Sequence, residues 1–247
     1  MRESRTIMSM PVIVEIADEK ATVESLEKIF SYFTKVDQQF STYKQESEIS
    51  QINRKEIPEE AYSPDMQEVF ALAEKTKQET NGYFDIQTQG GTLDPSGIVK
   101  GWAIQRAAQL ILDMGFKNCY VDIGGDIQTY GKNSEGGDWS IGIRNPFQYE
   151  EIVKVIYPRG KGVATSGTAA RGQHIYNPHS PEMPLKEVVS VTVIGPNVCE
   201  ADRFATAAFA MGRAGVSFIE QLEGFEGYAI DHSGIATMTS HFSDYTA

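Results

Sequence analysis

Basic residues are in short supply in this chain. Lys and Arg number 22 against 34 Asp and Glu, a formal net charge of -12 over 247 residues. A surface that tracks a phosphate backbone needs clustered Lys and Arg, so the balance argues against nucleic acid as a partner. A nucleotide ligand stays open, because a divalent cation can bring the positive charge. Cysteine is also scarce. Cys119 and Cys199 sit in apolar, strand-like surroundings, with no CxxC spacing and no neighbouring His, a setting for buried reduced thiols and not for a metal or redox centre. Long apolar runs are missing too. Nothing approaches the roughly 20 residues of a membrane span, and residues 1–8 lack the apolar core and small-residue cleavage site of a secretory leader. The expectation is a soluble, cytoplasmic protein with no membrane segment.

What is present is ordinary for a globular chain, with 40% apolar and 23% charged residues. Met10–Ile16 alternates like a strand, and Ala21–Phe40 carries apolar residues at helical spacing through Val23, Leu26, Phe30, Phe33 and Val36. A polar loop from Ser41 to Glu48 leads to a short helix ending near Asn53. Helices follow at Met66–Thr80 and Gly101–Met114, closed by Asn81-Gly82 and Gly115. Strands are expected at residues 118–123, 127–131, 139–144, 153–158, 162–165 and 188–194, then a helix, then a hairpin across His232-Ser233-Gly234. Strands interleaved with helices, without strict alternation, predict an α+β fold with a mainly antiparallel or mixed sheet packed by helices. No repeat, linker or low-complexity stretch divides the chain. Residues 1–247 are expected to be a single domain, with residues 41–80 as a candidate small helical subdomain.

The segment richest in chemistry is Ala201-Asp202-Arg203-Phe204-Ala205-Thr206-Ala207. Residues four apart share a helix face, so the Asp202 carboxylate and the Thr206 hydroxyl reach the same place. Two hard oxygen donors suit Mg²⁺. The plainer alternative is that Asp202 caps a helix whose other face, Phe204, Ala207, Ala208 and Met211, is core. Asp94–Gly101 is a glycine-bearing turn before a helix, with Lys100 beside its backbone N–H groups. That arrangement is either an anion site or an ordinary helix entry; its glycine spacing is not that of a Walker A loop. Gly124-Gly125 lets backbone come close to a ligand or to a neighbouring strand. His174 follows a Ser-Gly turn and can serve as a general base near neutral pH, or be structural. No nearby acid orients it, so a Ser-His-Asp triad has little support.

Taken in order, the segments resemble one family, the ApbE-type flavin transferases (FAD:protein FMN transferases), from about Met8 to Gly212. The carriers are Ser41-Thr42-Tyr43 with Ser47–Ser50 and Asn53, Gly82-Tyr83-Phe84-Asp85-Ile86, Ser96–Gly101, Ile123-Gly124-Gly125-Asp126-Ile127, Ala164-Thr165-Ser166-Gly167, His174-Ile175 with Pro178, and Ala201-Asp202 with Ala205-Thr206-Ala207. The resemblance implies Mg²⁺ ligands at Asp202, Thr206 and the carbonyl of Gly97. It implies FAD contacts at Met8, Tyr43, Phe84, Asp85, Ile86, Asp94, Lys100 and Ile175, and a role for His174 in assisting the acceptor hydroxyl. The implied reaction cleaves FAD and passes FMN through a phosphoester to a Thr or Ser of a target flavoprotein, releasing AMP. The chain departs from the family in reading Met8-Ser9-Met10 where Met-Gly-Thr is usual and Asn177 where Asp is common. It also has only seven residues between Ile86 and Asp94, where many members carry a long insertion. Two alternatives are an FAD pyrophosphatase, with water as acceptor, and a non-catalytic FAD-binding protein.

Overall fold

The computed structural model describes residues 1–148, 150–168 and 175–246. Its frame is an eight-stranded sheet in which every neighbouring pair is antiparallel. The strands are β1 (Arg2–Ile7), β2 (Met10–Ile16), β3 (Cys119–Ile123) and β4 (Asp126–Tyr130), joined in that order. A separate two-stranded ribbon follows in the chain, β5 (Ile141–Arg144) and β6 (Ile152–Ile156). The main sheet then continues from β4 through β7 (Gly162–Gly167), β8 (Val188–Gly195), β9 (Glu226–Asp231) and β10 (Ala236–Met238). Strand β1 was not anticipated, because its alternating residues are polar or only half-buried. Register with β2 and ion pairs from Arg2 to Glu15 and from Arg5 to Glu27 hold this edge.

Among the described residues six α-helices accompany these strands. Helix α1 (Val23–Phe40) opens on Thr22, whose hydroxyl accepts the N–H of Ser25 at 3.2 Å, and buries Leu26, Ile29, Phe30, Phe33 and Val36 along one stripe. Helices α2 (Glu48–Asn53) and α3 (Pro64–Glu79) bury Ile49, Ile52, Met66 and Val69 in the same apolar cluster as α1, β2 and β3. Helix α4 runs Ser96–Asp113, starting five residues earlier than the sequence suggested. The Gly97–Lys100 turn is therefore the first turn of the helix and not a loop before it. Glycine is a weak helix former, but here packing against α5 (Val198–Ala210) decides. Helix α6 (Ala214–Glu220), too short to show clear periodicity, follows. No described helix is long and apolar enough to cross a membrane.

The sheet carries different layers on its two faces. Val12, Val14, Val121 and Ile123 meet α1 and α4, while Ala164, Val191 and Val193 meet α5 and α6. On the opposite face Ile127, Val163, Ile194 and Ile230 pack with Ile141, Ile143 and Ile156 of the ribbon, and with Phe242. Cys119 and Cys199 are buried free thiols, each pushed up to about 12 by burial.

Candidate active site

Two helices cross at glycines to make the centre of the site. A Cβ on Gly101 would lie 2.7 Å from the Cβ of Asp202 and 2.9 Å from the Val198 carbonyl oxygen. One turn earlier, a Cβ on Gly97 would lie 3.2 Å from the Phe84 ring and 3.7 Å from the Thr206 methyl. Gly97 and Gly101 of α4 thus face Thr206 and Asp202 of α5, i to i+4 on both helices. The absence of side chains on α4 is what lets this carboxylate and hydroxyl come so close to its backbone.

The position of α5 is set from both ends of its first turn. Asn197 caps it by accepting the Glu200 N–H at 2.9 Å, and the Val198 N–H donates to the buried Gln128 amide oxygen at 2.9 Å. This settles the plainer alternative for Asp202, which lies within the helix and is not its cap. Arg203 is fully buried and ties α5 to α3 through Glu79 and Thr76, with Glu200 at 2.5 Å.

Around Asp202 the polar atoms form a connected set. One carboxylate oxygen accepts the Gly101 N–H at 2.8 Å. In a regular helix that same hydrogen faces the carbonyl of Gly97, so the carboxylate reaches α4 beside the oxygen expected to face a cation. The Lys100 ammonium pairs with Asp126 and lies 3.8 Å from Asp202. Asp126, at the start of β4, accepts the Thr165 N–H at 2.9 Å. Its other oxygen is buried and is the atom that pairs with the Lys100 ammonium. The hydroxyls of Ser166 and Thr206 stand 3.3 Å apart. Burial pushes Asp202 up to about 7 and Asp126 adds to that rise, against the pull of Lys100. Such a carboxylate gains from a further cation. Among the described residues no three His, Cys, Asp or Glu side chains are grouped to hold one, so an ion would rest on Asp202 together with hydroxyl and carbonyl oxygens. That sparse, all-oxygen set fits Mg²⁺, which keeps its remaining positions for water and substrate phosphates.

This centre opens into a cleft of about 830 Å³ that runs over the ribbon-side face of the sheet. Phe84, Asp85, Ile86 and Asp94 line it together with Gly97, Lys100, Asp202 and Thr206, and so does Ile175. Asp85 is paired with Lys77 at 2.7 Å, and the Asp94 carboxylate accepts the Ser96 N–H at 3.0 Å. Met8 and Tyr43 do not line the cleft. Met8 is the first residue of the two-residue β1–β2 turn, where Met8 and Ser9 both take left-handed backbone (φ 53° and 59°). This register brings Ser9 and Met10 to the cleft instead. Tyr43 is 96% exposed. His174 lies outside the described residues. Asp126 and Ser166 were present in the motifs but carried no assigned role, and Tyr120 and Arg144, which also line the cleft, gave no local signal.

Comparison with known proteins identifies the family of this chain. The model of the ApbE family matches residues 6–91 and 86–229. The chain belongs to the ApbE family. The FAD:protein FMN transferase of Vibrio cholerae is 33% identical over 129 residues, 49% of this chain and 39% of that protein. That of Escherichia coli K12 is 29% identical over 151 residues, 58% of this chain and 43% of that protein. The chain thus spans about two fifths of the length of these curated relatives. Among solved structures, the flavin transferase ApbE of Vibrio cholerae superposes with a TM-score of 0.84 at 24% identity, over 99% of this chain and 98% of that one. The apbe protein of Thermotoga maritima reaches 0.87 at 21% identity, over 100% and 99%. These likenesses establish the ApbE fold for the α+β architecture described above.

Proposed function

We propose that this ApbE-family chain is a Mg²⁺-dependent FAD:protein FMN transferase. It cleaves the diphosphate of FAD and joins FMN by a phosphoester to a Thr or Ser of a target flavoprotein, releasing AMP. Family membership and the names of the relatives support flavin transfer. The observation that carries the reading is the buried Asp202–Lys100–Asp126 set facing a glycine-bearing helix N-terminus at the end of a large cleft. The cleft draws its residues from Ser9 through Thr206, which supports reading the chain as a single domain.

Asp202, Thr206 and the carbonyl of Gly97 would hold the ion. When bound, it neutralises diphosphate charge and favours the charge that develops on transfer. The chain's own residues supply the rest. The first turn of α4 points N–H groups at phosphate, and Lys100 adds a fixed positive charge. Asp126 holds Lys100 and is itself held by the Thr165 N–H. His174 takes the proton of the incoming hydroxyl as its oxygen bonds to the FMN phosphorus. The P–O bond to the AMP phosphate breaks, and that oxygen leaves with AMP.

Incubation with FAD, MgCl₂ and candidate flavoprotein subunits, followed by intact-mass measurement, tests the reading. A mass gain of one FMN on the subunit, with AMP released, is the expected result. The H174A variant should transfer about 10²–10⁴-fold more slowly. AMP release without any mass gain would replace the transferase with a pyrophosphatase. FAD binding with neither product would leave a binding protein.

A further inference from the structure

We propose that Tyr83, braced by His179, is the platform on which a flat heterocyclic ring of the dinucleotide stacks. The inference rests on the FAD reading above. Helix α3 ends in a reversal in which Asn81 and Gly82 both take left-handed backbone (φ 50° and 79°) and the Gly82 N–H donates to the Lys77 carbonyl at 2.7 Å. The reversal delivers Tyr83 to the cleft wall, where it is half-buried. Its neighbour Phe84 is only 3% exposed, is packed against the Gly97 backbone, and has no free face to offer. Tyr43, the ring expected from the family pattern, points into solvent.

His179 fixes the tilt of Tyr83. The two rings meet edge to face, 4.6 Å apart at 69°. The His179 Nε2 lies 2.8 Å from the Asn81 carbonyl. A carbonyl only accepts, so Nε2 carries the hydrogen and the ring orientation is set by that bond. The imidazole lies over Gly82, where a Cβ would come within 3.4 Å of it. Its own backbone N–H donates to the Asn177 side chain at 2.9 Å, and three residues before His179 the Tyr176 hydroxyl donates to the Gln87 carbonyl at 3.3 Å. Two loops that line the cleft are thereby tied together at the place where Tyr83 faces it. A half-buried aromatic ring held in a cleft wall suits the π-face of a planar heterocycle. FAD offers two, the isoalloxazine and the adenine.

FMN and AMP, titrated separately, distinguish the two sources. The titrations use the wild type and the variants Y83A, Y83F, Y83L, H179A and H179Q. Ring stacking is worth ~1–3 kcal/mol per base by alanine substitution, so Y83A should weaken one of the two ligands about tenfold or more and leave the other within about twofold. Y83F should bind like wild type. H179A should weaken the same ligand by about threefold, and H179Q, which keeps a donor for the Asn81 carbonyl, should recover most of that loss. A loss confined to FMN, with loss of flavin fluorescence quenching, assigns the isoalloxazine; a loss confined to AMP assigns the adenine. The proposal fails if Y83A binds both ligands like wild type, weakens both equally, or is matched by Y83L and Y83F alike. An H179A variant indistinguishable from wild type overturns the brace. A wild-type protein that binds neither FMN, AMP nor FAD defeats the FAD reading itself, and the platform with it.

Discussion

Asp202→Asn isolates the energetic cost of ionising a buried carboxylate. Asn keeps an oxygen to accept the Gly101 N–H and removes the buried charge. In the folded chain Asp202 is raised from 3.8 to about 7. A raised folded-state value means that the stabilising contribution is fully present below the unfolded value and is lost as pH climbs through the folded one. In EDTA the wild type should therefore lose stability between about pH 4 and pH 8. A shift of roughly three units corresponds to a loss on the order of 4 kcal/mol. Asp202 is only 2% exposed, so solvent screening takes little from that figure. At about 2–4 °C per kcal/mol for a chain of this size, the melting temperature of the wild type should fall by roughly 10 °C relative to D202N over that range. Differential scanning fluorimetry of both proteins in EDTA, at half-unit pH steps, reads this directly. Excess Mg²⁺ should raise the wild-type melting temperature above pH 7 and leave that of D202N unmoved. Parallel pH profiles in EDTA would refute the reasoning, because Asp202 would then be no more costly to ionise than an exposed carboxylate.

Gly101→Ala places a methyl against the Asp202 Cβ and the Val198 carbonyl, neither of them the end of a flexible side chain. It should cost about 1–3 kcal/mol by overpacking, and the same displacement of α5 should slow AMP release from FAD; thermal melts and a coupled AMP assay check the pair. Arg203→Ala removes a buried guanidinium from Glu79, Thr76 and Glu200. Breaking such a set costs about 3–5 kcal/mol when the remaining charges stay dry. Because Glu79 and Glu200 keep 38% and 26% exposure, the urea midpoint should report the lower end of that range.

The single chain of residues carried much of the local information about this protein. The i to i+4 pairing of Asp202 and Thr206 was legible because helical periodicity is a property of adjacent sequence, and so were the strands from Met10 and Val188. The ordered motifs placed the chain in its family before any fold was known. Other features depended on contacts between distant segments. Whether Gly97 and Lys100 sit in a loop or in a helix was decided by α5 packing on α4, which outweighs the weak propensity of glycine. The role open to Asp126 depends on β4 lying beside β7, where the Thr165 N–H holds the carboxylate toward Lys100. Met8 fell outside the cleft because a two-residue turn sets the register of β1 on β2, and Tyr43 because its loop stays in solvent. Asp122, Tyr120 and Arg144 reach the cleft because sheet and ribbon bring them there. Local sequence determines which atoms a segment can present. The burial that makes Asp202 a carboxylate that favours a cation, and the Gly101 N–H it accepts, arise only when two helices a hundred residues apart cross at their glycines.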